Sequence, residues 1–329
     1  MKKILSISVA AYNIEKFIKQ NIESFTCSEV REKIEVLVTD DGSKDNTPNI
    51  VKEYEKMYPG VIKLIQQTNA GPGSTINSGL KNATGKYFRM VDGDDWVKTE
   101  NLEKYIELLE TSDADMVITD YCTYNDQNGD IEKQKVQNIK EGTYKFNDVA
   151  DKLKLPMHTI TYKTEILKNN NIKFDNGFYT DVEYIIFPAP YINSIAYLDV
   201  EIYMYRIGLS TQSMNASSLQ KNIHFHDTVL KKLISYYEEK KESVEDNKLT
   251  YMKNRIADML GSHLAILLSY NPNKEHKNEV IDLFKYVKSN SKDLYKKFIK
   301  QKKAFALISS RYGFYKIISN LYRSNNGMK

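Results

Sequence analysis

The sequence predicts an α/β domain with a mainly parallel sheet flanked by helices, followed by a domain made of helices alone. Through the first 120 residues, short apolar segments alternate with segments of helical spacing. Polar and acidic clusters follow three of the apolar segments. After residue 215 the apolar residues recur at helical spacing. Strands that alternate with helices of this length indicate βαβ units and a parallel sheet.

The elements of the first domain follow from these patterns in chain order. Apolar runs predict strands over residues 4–11, 34–39, 61–66, 86–91 and 116–119. Helical spacing between them predicts helices over residues 14–25, 47–57, 73–83 and 101–110. Pro48 and Pro72 lie near the starts of two of these helices, where proline is well tolerated.

The remaining chain is predicted in two stretches. Residues 121–145 are polar and indicate a loop or hairpin with a turn near residues 126–130, and residues 146–210 mix short helices and strands. Helices are predicted over residues 219–240, 249–270, 280–289 and 295–322. We place the domains at residues 1–212 and 213–329.

Composition indicates a globular protein of the cytoplasm. No run of 18 apolar residues is present, so no membrane-spanning helix is predicted. The short apolar run after Met1-Lys2-Lys3 leads directly into a polar segment, which favours a buried strand over an export signal. Two cysteines, Cys27 and Cys122, are too few for a disulfide framework.

Asp92-Gly93-Asp94-Asp95 follows the strand predicted at residues 86–91. Three carboxylates within four residues repel one another, and a divalent cation with oxygen ligands relieves that repulsion. Mg²⁺ commonly combines one or two carboxylates with substrate phosphates, which indicates a metal–diphosphate ligand. A solvated acidic turn is the alternative.

Two further clusters follow strands. Asp40 and Asp41 can accept hydrogen bonds from a base or a ribose, or form a turn that caps the next helix. Asn69-Ala70-Gly71-Pro72-Gly73-Ser74 opens a helix whose N-terminus favours anions. Ligands of open α/β sheets bind beyond the carboxyl ends of the strands, where all three clusters are expected.

Taken together, the motifs resemble glycosyltransferase family 2, whose members have the GT-A fold. The resemblance is strong over residues 4–120 and weaker to about residue 211. The matching segments are Val-Ala-Ala-Tyr-Asn at 9–13, Val-Thr-Asp-Asp-Gly-Ser-Lys-Asp at 38–45, Asn-Ala-Gly-Pro-Gly-Ser-Thr-Ile-Asn-Ser-Gly at 69–79 and Gly-Lys-Tyr-Phe-Arg-Met-Val-Asp-Gly-Asp-Asp at 85–95. Ile76 stands where the family often has arginine, so one expected polar contact is missing.

The resemblance implies a role for each matched position. Ala11 and Tyr12 would lie against the nucleotide base, Asp41 would bond that base, which we expect to be uracil, and Asp40 would lie behind it. Asp92 would contact ribose or metal-bound water, and Asp94 would be the main ligand of Mn²⁺ or Mg²⁺, with Asp95 close by. The remaining donor-binding positions are Asn69, Gly71, Asn77 and Gly93.

The general base and a phosphate contact are expected further along the chain. The segment Gly-Phe-Tyr-Thr-Asp-Val-Glu at 177–183 resembles the family's acidic pair at a helix start, with Asp181 as the base and Glu183 as runner-up. The alternative is that Thr180 or Asp181 only caps the helix. Arg206 either reaches the donor diphosphate or forms a structural ion pair. His158 is taken as structural, with no zinc site. Trp96 borders a bound sugar or packs in the core.

The implied reaction is inverting transfer of a hexosyl or N-acetylhexosaminyl group from a UDP-sugar to an acceptor hydroxyl. The acceptor would be a growing surface polysaccharide, a teichoic acid, a glycoprotein glycan or a lipid-linked glycan. Two alternatives remain open. A sugar nucleotidyltransferase would favour a basic, Gly-rich loop after the first strand, which residues 11–15 lack. A non-catalytic glycan-binding member would not need the intact acidic motifs.

The C-terminal region is strongly basic, with twelve Lys and Arg and one acid, Asp293, between residues 284 and 329. Lysines interleave with an apolar stripe of Phe305, Ile308, Tyr312, Tyr315, Ile318 and Tyr322. This pattern suits an interfacial helix on an anionic membrane, or an amphipathic helix packed within the protein. No nucleic-acid-binding motif is present, and residues 254–270 are a candidate homodimer face.

Overall fold

The computed structural model describes residues 2–26, 29–136, 139–209 and 216–328. It divides the chain into two units, Met1–Leu209 and Ser210–Lys329. The domain boundary expected between residues 212 and 213 lies at residues 210–215, outside the described residues, as does Cys27.

A mixed sheet forms the core of the first unit. In the stretches that the structure describes, its strands are β1 (Leu5–Ala11), β2 (Ile34–Asp40), β3 (Ile62–Gln66), β4 (Tyr87–Asp92), β5 (Trp96–Val97), β6 (Met116–Asn125), β7 (Ile131–Gln134), β8 (Gly142–Lys145), β9 (Ile160–Lys163) and β10 (Ser194–Ile207). The order along the sheet is β3-β2-β1-β4-β9-β6-β10-β5, with β7 on β6 and β8 on β10.

The first four strands form the parallel part that the sequence predicts. β1 lies between β2 and β4 and pairs with both in parallel. Its side chains are buried on both faces, which explains why it reads as an unbroken run of apolar and small residues. The chain runs outward through β2 and β3, then returns to the other side of β1 as β4, so the strand order reverses beside β1. That reversal is where ligands bind in sheets of this kind.

The second part of the sheet is less parallel than predicted. β9 runs antiparallel to both β4 and β6, while β10 runs parallel to β6. β6 continues to Asn125 and turns back as β7, which confirms the hairpin near residues 126–130. β10 is fourteen residues long, and two register shifts against β6 lie between Leu198 and Tyr203. Such irregularities bend a strand and redirect the side chains that follow.

Helices cover the sheet. Those of the first unit are α1 (Ile18–Thr26), α2 (Thr47–Met57), α3 (Pro72–Asn82), α4 (Leu102–Thr111), α5 (Phe146–Val149), α6 (Thr164–Asn169) and α7 (Thr180–Ile186). Their apolar residues recur at helical spacing towards the sheet, as with Leu102, Tyr105, Ile106 and Leu109 of α4. The four long helices agree with the sequence prediction within a few residues.

The second unit is helical, as predicted. Its helices within the described stretches are α8 (Ala216–Lys221), α9 (Ile223–Lys240), α10 (Asp246–Ser269), α11 (Lys274–Asn290), α12 (Lys292–Phe298), α13 (Lys302–Ser309) and α14 (Tyr315–Asn325). None of the described helices of either unit has the length and apolar character needed to span a bilayer.

The structure bears on two expectations for this unit. Residues 295–322 fall on three helices, so the prediction of a single helix is wrong. Arg311 and Tyr312 adopt left-handed backbone angles (φ 47° and 62°) in the break between α13 and α14. Residues 254–270 lie largely on α10, which packs against α8, α9, α11, α12 and α14. Ile256, Leu260, Leu264 and Leu268 are buried there, so these residues pack within the unit, and a homodimer face stays a prediction.

Candidate active site

The acidic clusters meet at one edge of the sheet, as expected. β1 aligns Ala11 with Asp40 on β2 and Ala10 with Asp92 on β4. Because these strands are parallel neighbours, their carboxyl ends open onto the same recess. This edge is also where the strand order reverses.

Tyr12 stands at the first strand end with its ring half exposed. The loop beneath it is fixed to the next strand end by two hydrogen bonds. The Ser43 Oγ accepts from the Asn13 amide at 2.9 Å, and the Asn13 Oδ1 accepts from the Lys44 amide at 2.8 Å. Asp40 is buried, and its carboxylate accepts from the Ser43 amide at 3.1 Å. The Tyr12 ring is therefore exposed to solvent on a loop that these hydrogen bonds hold in place.

Asp41 has a supporting role that the sequence did not predict. Its buried carboxylate accepts hydrogen bonds from the Gln67 Nε2 (2.7 Å), the Ala70 amide (2.9 Å) and the Gly71 amide (2.8 Å). These three donors tie the loop before α3 to the end of β2. Asn69, in the same loop, is exposed. A contact between Asp41 and the nucleotide base stays a prediction. The Asp41 carboxylate would make that contact while it also accepts these three hydrogen bonds.

The start of α3 packs directly against the segment that precedes Asp181. Gly71 has φ +91°, and a Cβ there would lie 1.8 Å from the Asn176 carbonyl oxygen. Asn77 donates to the Phe174 carbonyl at 2.8 Å and accepts from the Phe174 amide at 3.0 Å. The Asn77 amide therefore ties α3 to this segment, and a contact between Asn77 and the sugar donor stays a prediction.

The acidic cluster after β4 divides into two parts. Asp95 is buried, and its carboxylate accepts from the Tyr203 hydroxyl at 2.6 Å and from the Arg206 amide at 2.7 Å. Gly93 is required for the tight packing of this turn, since a Cβ there would lie 2.5 Å from the Ala10 carbonyl oxygen. Asp92 and Asp94 are partly exposed. Among the described residues, no group donates a hydrogen bond to the Asp92 carboxylate.

His158 joins this cluster, which the sequence did not predict. In the part of the chain that the structure describes, Asp92, Asp95 and His158 are the set of potential metal ligands whose atoms lie within 4.8 Å of one another. The His158 Nδ1 is buried and makes no hydrogen bond with the described residues. Its ring packs against Tyr203 and Tyr205, with centroids 4.7 and 4.3 Å away. Asp94 lies outside this set, so its role as main metal ligand stays a prediction.

Electrostatics at the cluster favour a bound cation. Burial, helped by the charges of Asp94 and Asp181, raises the pKa of Asp92 to about 7. Burial, together with the nearby Arg89 guanidinium, lowers the pKa of His158 to about 3, so its imidazole is neutral. A carboxylate without a donor and a neutral imidazole nitrogen without a partner are both suited to a metal ion.

Asp181 faces the same recess. It lies in the first turn of α7, after Tyr179, whose left-handed backbone (φ 71°) turns the chain into the helix. Its side chain is exposed to solvent, yet desolvation by the surrounding protein raises its pKa. Glu183 is fully buried, and its Oε2 accepts from the Asp175 amide at 2.7 Å. Burial thus keeps the Glu183 carboxylate from solvent, and Asp181 as general base stays a prediction.

Arg206 forms the structural ion pair that was one of its two expected roles, and the phosphate contact stays a prediction. It is 6% exposed and forms an ion pair with Asp126. Its Nε donates to the Asp94 carbonyl at 2.8 Å, and a terminal nitrogen donates to the Gln20 Oε1 at 2.5 Å. The rings of Phe17 and Trp96 lie 4.9 and 4.8 Å from the guanidinium carbon. Every nitrogen of the group has a protein partner, and the cation–π contact places Trp96 in packing.

Comparison with known proteins agrees with this geometry. The sequence profile of Glycosyl transferase family 2 matches residues 6–169. Glycosyltransferase GlyG of Streptococcus pneumoniae is 28% identical over 221 residues, or 63% of this chain and 71% of GlyG. Glycosyltransferase GlyA of the same organism is 26% identical over 62% of this chain, but the match spans only 30% of GlyA.

The fold also matches a solved structure. Staphylococcus aureus TarS 1-349 in complex with UDP-GlcNAc superimposes with a TM-score of 0.69 and 19% identity, over 98% of this chain and 92% of that one. At that identity the likeness establishes the fold. The sheet order, the recess at the strand ends and the profile match agree: through residues 6–169, this chain belongs to glycosyltransferase family 2 and has the GT-A fold.

Proposed function

We propose that this chain is an inverting glycosyltransferase that moves a sugar from a UDP-sugar to a hydroxyl group of a glycan acceptor. One observation carries the proposal. The Asp92 carboxylate, which accepts no hydrogen bond from the described residues, lies at the sheet edge. It is close enough to Asp181 for the charge of Asp181 to help raise the pKa of Asp92. The Asp92 carboxylate suits a metal-bound diphosphate, and the Asp181 carboxylate suits removal of a proton from the acceptor hydroxyl.

Asp92, Asp95 and His158 would hold a divalent cation, with Asp94 beside them. Two carboxylates and an imidazole fit Mn²⁺ better than Mg²⁺, which prefers an all-oxygen shell. When bound, the cation would neutralise the donor diphosphate and the charge that develops on it as it leaves.

Asp181 is the proposed general base. Its carboxylate would take the proton of the acceptor hydroxyl while that oxygen forms a bond to the anomeric carbon. The bond between the anomeric carbon and the diphosphate oxygen breaks on the opposite face, and UDP leaves. Attack opposite to the leaving group inverts the configuration at the anomeric carbon. The raised pKa of Asp181 makes it a stronger base once it is ionised.

The nucleotide would lie along the ends of β1 and β2. The half-exposed ring of Tyr12 offers a stacking surface for a base, with Ala11 beneath it, and Asn69 is exposed nearby. Uridine is favoured by TarS, which binds UDP and UDP-GlcNAc on the same fold. The transferred group would be a hexosyl or N-acetylhexosaminyl unit. The acceptor would be a glycan of a surface polysaccharide, a teichoic acid or a glycoprotein.

Calorimetry with UDP tests the donor site, with and without Mn²⁺. We expect binding that requires Mn²⁺ and is lost in Asp92→Ala. Asp113→Asn, which changes a carboxylate that is 90% exposed, is the control and should bind as wild type does. Binding that ignores both Mn²⁺ and the Asp92 substitution would refute the cation site.

Release of UDP from a panel of UDP-sugars, with water as the default acceptor, tests the base. Asp181→Asn should keep the UDP affinity of the wild type and lose about 10²–10⁴-fold in turnover. Glu183→Gln offers a contrast, because its effect should appear in stability more than in turnover. Full turnover by Asp181→Asn would remove Asp181 from the chemistry.

A further inference from the structure

The last helices of the second unit expose an unusual concentration of apolar side chains. Among the described residues, eight large hydrophobic side chains are exposed, and four of them lie between residues 305 and 321. They are Phe305, Phe314, Ile317 and Leu321, which are 56–63% exposed. We name these four residues the apolar face. Single exposed apolar residues are ordinary, but a cluster of this density indicates an interaction surface.

Three residues of the apolar face lie along the outer side of α14, whose inner side is packed, and Phe305 lies on α13. Phe314, which precedes α14, and Ile317 and Leu321 on that helix follow helical spacing on one side. Tyr315 and Ser319 are buried on another side, and the Ser319 Oγ donates to the Leu268 carbonyl of α10 at 2.9 Å. The stripe predicted from sequence is different: its members Tyr315, Ile318 and Tyr322 are buried or partly buried. The outward residues therefore contribute little to the unit's own core.

Basic residues flank the apolar face, and the segment that carries the face contains no acidic residue. After Asp293 the sequence contains nine Lys and Arg and no Asp or Glu. Lys302, Arg311 and Lys316 are exposed and form no ion pair with the described residues. Lys303 Nζ lies 4.2 Å from the ring centroid of Tyr322 and so joins α13 to α14. The left-handed turn at Arg311 and Tyr312 brings the chain from α13 into α14.

We propose that the apolar face and its basic surround bind the surface of an anionic lipid membrane. Apolar side chains enter the boundary between headgroups and acyl chains, while lysines and arginines pair with acidic headgroups. The charge decides among possible partners. A second copy of this face would carry the same positive charge and repel the first, and a nucleic acid would leave Phe314, Ile317 and Leu321 without apolar partners.

Vesicle sedimentation with the full chain tests the proposal. Vesicles of phosphatidylglycerol, of phosphatidylcholine and of an equal mixture should bind the chain in proportion to their anionic content. The substitutions Phe314→Ser, Ile317→Ser and Leu321→Ser, made together, should weaken binding about tenfold or more. Lys302→Gln, Arg311→Gln and Lys316→Gln, made together, should weaken it about a hundredfold on anionic vesicles. Salt should weaken wild-type binding as well.

The control combines Met57→Ser and Ile131→Ser, both 58% exposed in the first unit, and should bind as wild type does. Circular dichroism confirms that each variant is folded. Equal binding to both pure lipids, or wild-type binding by the apolar triple variant, would overturn the proposal. So would a wild-type dimer in lipid-free buffer that the apolar variant abolishes, since the face would then bind a second copy. No sugar donor enters this assay, so its outcome is independent of the proposed transferase activity.

Discussion

Replacement of Arg206 by Met separates its two possible roles by measurement. The structure places its guanidinium in an ion pair with Asp126, between aromatic rings, with hydrogen bonds to Gln20 and to the Asp94 carbonyl. Met keeps much of the apolar stem and removes the charge. If Arg206 is structural, Arg206→Met should lower the free energy of unfolding and have a smaller effect on UDP binding.

The magnitude follows from burial. The Arg206 side chain is 7% exposed and that of Asp126 is 33% exposed. Removing one partner of a buried ion pair costs about 3–5 kcal/mol, because the other charge loses its compensation. Asp126 retains some solvent, so we expect about 3 kcal/mol. Lys33→Met is the matched control, since the Lys33–Glu110 pair is 32% and 45% exposed and should be worth less than about 1 kcal/mol.

Trp96 provides a fluorescence probe beside Arg206. It is the chain's single tryptophan, and its ring lies 4.8 Å from the Arg206 guanidinium carbon. Its fluorescence in urea therefore reports unfolding of the first unit at this position. A cycle of Arg206→Met, Asp126→Asn and the double variant isolates the pair. A loss below about 1 kcal/mol in Arg206→Met, together with a tenfold weaker UDP affinity, would refute the structural role and restore the phosphate contact.

Two further predictions concern other parts of the chain. In α9 and α10, the Nδ1 atoms of His226 and His263 lie 3.0 Å apart, and burial lowers their pKa values to about 3 and about 4. The unfolded chain takes up these protons near pH 6.5, so stability is full above that pH and falls as the pH drops towards 4, by about 2 kcal/mol per histidine at pH 5. Thermal melts followed by circular dichroism should therefore show a smaller loss between pH 7 and pH 5 in His226→Gln, and an unchanged loss would count against the buried pair. Gly71→Ala should cost more than about 2 kcal/mol and weaken UDP binding, whereas Gly129→Ala, at φ +78° with no neighbour within 4 Å, should cost about 1 kcal/mol, so equal costs would contradict the close packing at Gly71.

Local pattern was sufficient to predict the parallel part of the sheet. β1, β2 and β4 are buried on both faces, so their residues form unbroken runs that stand out between amphipathic helices. Parallel strands joined by helices then bring Ala11, Asp40 and Asp92 to one edge whatever their separation in sequence. Asp181 was singled out through the family resemblance, because an acidic residue at the start of a helix fits a cap equally well, and its role stays a prediction.

The remaining site residues depend on partners that are distant in sequence. Arg206 contacts Gln20, 186 residues away, and Asn77 contacts Phe174, 97 residues away. His158 reaches the acidic cluster because β9 runs antiparallel beside β4, and no pattern near residue 158 predicts that reversal. A sequence motif shows that a residue is polar and lies near a strand end. It does not show whether the hydrogen-bond partner of that residue is a protein group or a ligand.

The acidic residues at this edge differ in whether protein groups donate hydrogen bonds to their carboxylates. Asp40, Asp41 and Asp95 each accept hydrogen bonds from the protein, whereas Asp92 accepts none from the described residues. Burial and the charges of Asp92 and Asp94 raise the pKa of Asp95 well above its usual range, so at pH 4 its carboxyl group is uncharged in the folded state. At that pH Asp95→Ala should lower stability by about 2–4 kcal/mol, because the Tyr203 hydroxyl and the Arg206 amide lose their acceptor.

Asp92→Ala should instead raise the stability of the metal-free protein at pH 8. The pKa of Asp92 is raised to about 7 from 3.8, so its protonated form favours the folded state, and without metal the wild type loses stability as the pH rises from about 4 to about 7. The alanine variant should thus be more stable than wild type at pH 8, by up to about 4 kcal/mol, and gain much less at pH 5. Mn²⁺ should reverse the order at pH 8, since only the wild type gains stability from binding. Trp96 fluorescence measures all three conditions, and a metal-free wild type that is the more stable at pH 8 would show that Asp92 is satisfied within the protein and is not held open for a ligand.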